Sequence, residues 1–340
     1  MRAYRTRSDS VIVDKGKVMT NLDIFNPISE ELAMVEEQLI QSIDTELEIL
    51  DKAATHLIKA GGKRLRPAFV LLTAKLFSDS IQHAIPLAVA LELVHMASLV
   101  HDDVIDNSEL RRGQPTVKSK WGNRVSLYTG NYVLAKSLCQ VAGYQRSDIL
   151  EVLANASMGI CEGEIKQMQS CYNIHQGLKD YLRRIERKTA LLIAVSCQLG
   201  AMISDSTDAE VMALKRYGYY LGMAFQVTDD ILDFVASEEI LGTPVGSDIR
   251  QGVITLPAIY ALKYGAHREE LGQMLASPES CCNRAEEIID LITETDGIDY
   301  AYYVSNIFAE KAIKQLEKLP DLSGKDSLLD IAGFISGREY

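Results

Sequence analysis

The sequence predicts an all-α protein. Apolar residues recur at three- and four-residue steps through most of its 340 residues, and no stretch sustains the two-residue alternation of a half-buried strand. Only 8 prolines occur, and the clusters of Gly, Pro, Ser and Asp that end helices are short. Because no cluster is long enough to be a domain linker, we expect a single domain over residues 26–340, preceded by a flexible arm over residues 1–25.

Four segments carry the clearest helical periodicity, and four short breaks interrupt the chain. The helical segments are Ile81–His101, Val125–Val141, Tyr181–Met202 and Asp208–Val235. The breaks are Gly61–Pro67 (GGKRLRP), Arg111–Thr116 (RRGQPT), Ser204–Thr207 (SDST) and Leu241–Asp248 (LGTPVGSD). Residues that favour turns over continued helix are concentrated in each break.

The charge balance and the cysteines limit the class of protein. The formal net charge is -12, whereas a nucleic-acid binder is expected to present a basic surface. Six cysteines occur without a C-x-x-C pair, which is typical of reduced thiols in a cytoplasmic protein. No apolar run reaches the ~18 residues of a membrane span, and the N-terminus lacks the apolar stretch of a signal peptide. We therefore expect a cytoplasmic protein with no nucleic-acid partner and no membrane span.

Two aspartate clusters of the same form carry the chemical signal. The first aspartate cluster, DDVID, comprises Asp102, Asp103 and Asp106, and the second aspartate cluster, DDILD, comprises Asp229, Asp230 and Asp233. On a helix, positions i and i+4 share a face, so each cluster presents carboxylates to one small volume. Such carboxylates repel one another unless a cation lies between them. Oxygen ligands without His or Cys suit a hard divalent ion, and Mg²⁺ also bridges substrate phosphates.

Five stretches of the chain resemble the trans-isoprenyl (polyprenyl) diphosphate synthase family in order and spacing. They are GGKRLRP at 61–67, LELVHMASLVHDDVIDNSELRRGQPT at 91–116, RRIERKTALLIAVSCQLGA at 183–201, FQVTDDILDF at 225–234 and GSDIRQGVITLP at 246–257. Within the family, the chain is most similar to the catalytic subunits of bacterial heptaprenyl diphosphate synthases. The resemblance implies the isoprenoid synthase fold, a bundle of long antiparallel helices around a deep central cavity.

The resemblance also implies roles at the matched positions. The six aspartates would hold up to three Mg²⁺ ions, or Mn²⁺ in their place, on the diphosphate of an allylic substrate. Arg111 and Lys188 would contact that diphosphate, and Thr189 and Gln226 would lie near the leaving group and the cation that it leaves. Isopentenyl diphosphate would be bound without metal by basic side chains in and near the GGKRLRP loop, namely Lys63, Arg66, His95 and Arg112.

Four further positions are treated separately. Thr243 and Val253 stand where many family members carry Lys or Asn, so neither is assigned to a diphosphate. Asp248 matches a loop aspartate that would support a metal ligand. Arg338, near the end of the chain, either lies near the isopentenyl site or is simply solvated.

The expected reaction is the Mg²⁺-dependent, repeated head-to-tail addition of isopentenyl diphosphate to an allylic diphosphate, with farnesyl diphosphate as primer. A terpene cyclase also ionises an allylic diphosphate, but it usually lacks the second aspartate cluster and the GGKRLRP loop. A non-catalytic partner subunit typically loses aspartates from one cluster, and here all six are present. A short-chain synthase that makes farnesyl or geranylgeranyl diphosphate is the remaining alternative.

Small residues before the first aspartate cluster predict a long product. At about 1.5 Å rise per residue, Ala97 and Ser98 lie roughly 6–8 Å deeper than Asp102, and Val94 lies one turn further along. In the family, bulky aromatic residues at these places stop elongation early, so small residues there would let the product grow longer. The alternative explanation is that these residues are small because α-helices pack closely at this point. We predict heptaprenyl diphosphate, for the side chain of a quinone such as menaquinone, with hexaprenyl and octaprenyl diphosphate as near alternatives.

The resemblance leaves the oligomeric state open. The most similar family members work with a small, dissimilar regulatory subunit, whereas the family commonly forms homodimers. We therefore expect either a homodimer or such a heteromer. The long product would be released to a membrane.

Overall fold

The computed structural model describes residues 23–236, 245–322 and 324–336. Its α-helices, in chain order, are α1 Ser29–Ser42, α2 Glu48–Lys59, α3 Leu65–Lys75, α4 Ile85–Ile105, α5 Val117–Ala142, α6 Ser147–Ser170, α7 Leu178–Ile185, α8 Leu191–Met202, α9 Asp208–Val235, α10 Ser247–Arg250, α11 Leu256–Tyr264, α12 Arg268–Leu275, α13 Pro278–Asn283, α14 Ala285–Thr293, α15 Gly297–Leu316 and α16 Lys325–Ser336. Short 3-10 helices span Asp23–Ile28 and Gln82–Ala84, and a π-helical turn spans Glu186–Ala190. The predicted all-α fold is confirmed.

The long helix α9 begins and ends where the sequence predicts. Its start is fixed by a capping box, in which the Thr207 hydroxyl accepts from the Glu210 backbone N–H and the Glu210 carboxylate accepts from the Thr207 N–H at 2.7 Å. This reciprocal pair satisfies two backbone donors that the first turn leaves without partners. The second aspartate cluster therefore lies in the last two turns of a helix with a well-defined start.

The predicted helix over Tyr181–Met202 is interrupted. Glu186–Ala190 forms the π-helical turn, which joins α7 to α8 and carries Lys188 and Thr189. Such turns insert one extra residue and frequently occur at functional sites. Apolar periodicity cannot detect one extra residue inside a continuous helical pattern.

A two-stranded hairpin forms in the RRGQPT break. Leu110–Arg111 pairs antiparallel with Gln114–Pro115, and the turn residues Arg112 and Gly113 have φ angles of 53° and 73°. Two consecutive residues with positive φ are what a tight hairpin turn requires. The hairpin places Arg111 and Arg112 beside the end of α4, and it is a small exception to the all-α prediction.

The buried side chains form two clusters that meet along α9. The larger cluster is built mainly from α1 to α6, α8, α16 and the first half of α9, including Tyr217 and Leu221. The smaller cluster is built from α7, α10 to α15 and the second half of α9, including Val227 and Ile231. Because one helix contributes to both clusters, the two aspartate clusters are held on a continuous core.

The segment Gln82–Ile105 is long and apolar enough to cross a membrane, although no membrane span was predicted from the sequence. However, 72% of its most apolar window is buried inside the protein. The helix α4 packs against α1, α3, α5 and α8. A helix that is apolar all round and covered by other helices is a core helix.

The predicted arm is shorter than expected. The first 3-10 helix begins at Asp23, where Ile24 is 9% exposed and Phe25 packs against the core. Residues 1–22 lie outside the described residues. Residues 23–25, which were predicted to belong to the arm, therefore form part of a 3-10 helix that packs on the core.

Candidate active site

The first aspartate cluster occupies the end of α4. Asp102 and Asp103 belong to its last turn, and Asp106 caps the helix by donating its backbone N–H to the Asp102 carbonyl at 2.8 Å. Asp103 is 3% exposed and accepts from the Arg111 guanidinium, with Nε and Nη2 each 2.8 Å from Oδ1. The hairpin therefore places Arg111 beside the first aspartate cluster. Arg111 was predicted to contact a diphosphate, and in this structure its guanidinium donates to the Asp103 carboxylate.

Burial and like charge act against ionisation of the first cluster. The pKa of Asp102 is raised to about 7, chiefly by burial and also by the neighbouring Glu164 and Asp106 charges, whereas the Lys188 and Arg111 charges oppose the shift. Burial also raises the pKa of Asp103, although the Arg111 hydrogen bond opposes it. A cation between these groups would remove the cost of holding several carboxylates ionised.

The second aspartate cluster is held by a chain of side-chain hydrogen bonds. Asp230 is 4% exposed and accepts from the Tyr181 hydroxyl at 2.8 Å and from the Gln226 amide nitrogen at 2.7 Å. The Thr189 hydroxyl in turn donates to the Gln226 amide oxygen. The predicted neighbours Thr189 and Gln226 thus orient Asp230, together with Tyr181, which sequence reasoning missed.

Backbone donors fix the last aspartate of the second cluster. Asp233 accepts from the backbone N–H groups of Ser247 at 3.1 Å and Asp248 at 3.0 Å. Burial raises the pKa of Asp233 to about 7, and the Asp248 charge adds to that shift. The same two causes raise the pKa of Asp230 to about 7. Asp248 therefore supports a predicted metal ligand through its backbone while its own charge adds to the local excess of carboxylate.

Charges near the first cluster reach Asp248, which lies beside the second cluster. The Lys188 charge opposes the pKa rise of both Asp102 and Asp248, and the Asp106 charge adds to the rise at Asp248. Lys188 is exposed, and its Nζ donates to the Gln167 amide oxygen at 3.2 Å. The Lys188 charge therefore acts on carboxylates at the end of α4 and beside the end of α9.

Basic side chains gather beside the first cluster. Arg66 lies in the first turn of α3, and Arg112 donates to the Gly61 carbonyl. Burial lowers the pKa of His95 well below its ordinary value, and the charges of Arg66 and Arg112 lower it further. His95 is therefore neutral among cations. Lys63 lies on the exposed part of the same loop.

A buried ion-pair network supports the GGKRLRP loop, and sequence reasoning missed it. Arg64 has a φ of 47° and is 9% exposed, with its guanidinium donating to Glu92 at 3.0 Å and also to Glu36. Glu92 is 3% exposed on α4, and its Oε2 has no hydrogen-bond partner. The signal in the sequence was one acidic residue within the apolar run LELV. Glu92 supplies the buried negative charge around which the cationic side chains collect.

The donor set fits a hard metal ion that arrives with its substrate. Among the described residues, no three His, Cys, Asp or Glu side chains already converge as a metal cage. Mg²⁺ usually takes only one or two protein carboxylates and completes its shell with waters and substrate phosphates. Carboxylates at two helix ends around one space suit that mode of binding.

The positions predicted to control product length differ in exposure. Ser98 is partly exposed one turn before Asp102, and its hydroxyl donates to the His95 carbonyl at 2.8 Å. Ala97 is 2% exposed and Val94 is 3% exposed. Ser98 thus shares a face of α4 with Asp102 and His95, whereas Ala97 and Val94 are enclosed.

Of the three remaining predicted positions, only Val253 lies in the part of the chain that the structure describes. Val253 is 7% exposed. Thr243 and Arg338 lie outside the described residues.

The family model described as polyprenyl synthetase matches residues 47–292. Over 317 residues the chain is 45% identical to heptaprenyl diphosphate synthase component 2 of Geobacillus stearothermophilus, covering 93% of this chain and 98% of that protein. Component 2 of Bacillus subtilis is 45% identical, with coverages of 92% and 89%. Heptaprenyl diphosphate synthase from Staphylococcus aureus superposes with a TM-score of 0.84 at 37% identity, covering 94% of this chain and 99% of that chain.

Proposed function

The chain belongs to the polyprenyl synthetase family, and from that membership we propose that its two aspartate clusters together bind the diphosphate of an allylic substrate. It is a prenyltransferase that makes trans-polyprenyl diphosphates by adding isopentenyl diphosphate to an allylic diphosphate. The observation that supports the role of the clusters is that both are complete, and that the Lys188 charge acts on Asp102 of the first cluster and on Asp248, whose backbone N–H donates to Asp233 of the second.

At the allylic substrate, the leaving diphosphate must be stabilised. When the allylic carbon–oxygen bond breaks, negative charge develops on the departing diphosphate. Mg²⁺ bound with that diphosphate would supply Lewis-acid stabilisation of the charge. Lys188 and Arg111 add positive charge at the same place, and Tyr181 and Gln226 keep Asp230 oriented.

The isopentenyl end needs an anion site without carboxylates. Arg66, Arg112 and Lys63 offer guanidinium forks and an ammonium to the second diphosphate. The isopentenyl double bond then attacks the allylic cation, a carbon–carbon bond forms, and a proton leaves the isopentenyl carbon skeleton. Each cycle lengthens the allylic product by one isoprene unit and releases inorganic diphosphate.

A transfer assay tests the site. Asp103→Asn and Asp230→Asn each remove a negative charge while keeping the side-chain volume, and each should lower Mg²⁺-dependent transfer by several powers of ten. Asp205→Asn, in the exposed loop between α8 and α9, is the matched control and should leave transfer unchanged. Near-normal turnover in either cluster variant would show that the aspartates do not hold the metal.

Heptaprenyl diphosphate is the proposed product. Two relatives at 45% identity are named heptaprenyl diphosphate synthase component 2, and the small residue Ser98 lies on the same face of α4 as Asp102. Quinone side-chain synthesis in the cytoplasm, with release of the product to a membrane, is the accompanying proposal.

An apolar stripe on α6 is the proposed subunit contact. Six exposed residues along the helix recur at steps of three and four, and they are Leu150, Ala154, Met158, Cys161, Ile165 and Met168. An exposed apolar stripe of this spacing is typical of a helix that packs against another subunit. The name component 2 of two relatives supports a heteromer with a second, different subunit, beside a homodimer. Met158→Glu with Ile165→Glu should shift the mass measured by light scattering to that of a single chain, and an unchanged mass would contradict the contact.

A further inference from the structure

We propose that a basic cavity between α6 and α7, separate from the two aspartate clusters, binds a compact phosphate anion such as inorganic diphosphate. Its volume is about 390 Å³. Four cationic side chains line it, and they are Lys166, Arg183, Arg184 and Arg187. Hydrogen-bonding side chains complete the wall, among them Asn173 and His175.

Arg184 is buried and held in place by hydrogen bonds, unlike a mobile cation on the protein surface. Its side chain is buried, with 8% exposed, and it donates to the Gln176 amide oxygen at 3.3 Å and to the Ile254 carbonyl at 2.9 Å. The guanidinium also lies 5.4 Å from the centre of the Tyr181 ring. A guanidinium has five N–H donors, and the two acceptors use two of them. An already ordered guanidinium loses little side-chain entropy when it binds a phosphate.

The charge around the cavity favours an anion with two or more negative charges. Among the lining residues only Asp180 opposes the four cations, and it accepts from the Gly177 backbone N–H at 3.1 Å. Outside the lining, Glu162 pairs with Arg187, and the Arg184 charge also acts on Asp230 and Asp248. The local excess is therefore positive in a chain whose net charge is -12. Two oxygens of one phosphate can accept from the two parallel N–H groups of an Arg guanidinium, whereas a monatomic anion such as chloride cannot form such a paired contact.

None of the six cluster aspartates lines the cavity, but Tyr181 links Arg184 of the lining to Asp230. Tyr181 contacts Arg184 on the cavity side through its ring, and its hydroxyl donates to Asp230 on the other side. The identity of the anion as diphosphate rests on the proposed function, because that reaction releases diphosphate in each cycle. The anion site itself rests only on the cavity and its charges.

Titration calorimetry with inorganic diphosphate in the presence of EDTA tests the proposal, because metal-dependent binding at the aspartates is then absent. Lys166→Gln with Arg183→Gln should weaken binding at least tenfold. Lys314→Gln with Arg268→Gln removes two exposed cations elsewhere and should change affinity less than twofold. Equal affinity in both double variants, or no binding by the unmodified chain, would overturn the proposal.

Two further arms separate other sources of binding. Lys63→Ala with Arg112→Ala disables the proposed isopentenyl site and should leave one diphosphate bound in the cavity; loss of all binding in this variant would overturn the proposal. Flotation with phosphatidylcholine vesicles that contain phosphatidic acid distinguishes a lipid headgroup from free diphosphate. Because neither arm measures turnover, a failed transfer reaction would not affect the result.

Discussion

Replacing Tyr181 with Phe should impair the reaction while leaving the fold intact. The hydroxyl is fully buried and donates to Asp230 Oδ2 at 2.8 Å. A hydrogen bond to a charged group contributes about 1.5–3 kcal/mol. Since 1.36 kcal/mol corresponds to a tenfold change in rate, loss of this bond should lower kcat/KM for the allylic substrate by about 10- to 150-fold if the bond is fully used in the transition state.

The chain supplies a matched control in Tyr217. Its ring is also fully buried, and its hydroxyl donates to the Leu328 carbonyl at 2.7 Å in the larger core cluster. Tyr217→Phe loses a neutral hydrogen bond, which contributes about 0.5–1.5 kcal/mol to stability, and should leave kcat/KM unchanged. Both variants are assayed over a Mg²⁺ series, and their unfolding is followed by circular dichroism. If Tyr181→Phe turned over within twofold of Tyr217→Phe, orientation of Asp230 by Tyr181 would be refuted.

Three other groups of substitutions test separate parts of the account. Lys63→Ala or Arg112→Ala should raise the KM for isopentenyl diphosphate far more than the KM for the allylic primer, because lost uniform binding appears mainly in KM; equal effects would contradict two separate sites. Ser98→Tyr and Ala97→Phe should shift the products toward farnesyl or geranylgeranyl diphosphate by mass, and an unaltered long product would show that the tail does not pass them. Glu92→Ala should lower the free energy of unfolding in urea by about 1.5–3 kcal/mol, because it removes the buried carboxylate that accepts from Arg64 and leaves only Glu36 as its ion-pair partner; a loss below about 1 kcal/mol would mean that the pair with Glu92 is not structural.

Local patterns predicted the helices well where local interactions decide the structure. The helix α9 was predicted over its full length because apolar periodicity and a capping box lie within a few residues of one another. The hairpin at Arg112 and Gly113 was not, because positive φ at an arginine depends on what the turn packs against. The π-helical turn was not predicted either, because its one extra residue leaves the apolar pattern almost unchanged.

The candidate site shows the same limit. The aspartates were identified because six carboxylates at helical spacing require an explanation within the sequence itself. Tyr181 and Asp230 are 49 residues apart, and Arg64 and Glu92 are 28 apart. Such partners are decided by tertiary packing, so the sequence could identify the aspartates but not the groups that orient them.

Mass spectrometry of the products tests the central claim most directly. The chain, alone and together with the other component of the Bacillus subtilis relative's enzyme, is incubated with farnesyl diphosphate, isopentenyl diphosphate and Mg²⁺. The account predicts heptaprenyl diphosphate as the main product in at least one of these mixtures, and none with EDTA or with Asp230→Asn. A cyclic hydrocarbon, a product no longer than geranylgeranyl diphosphate, or no metal-dependent transfer in either mixture would contradict it.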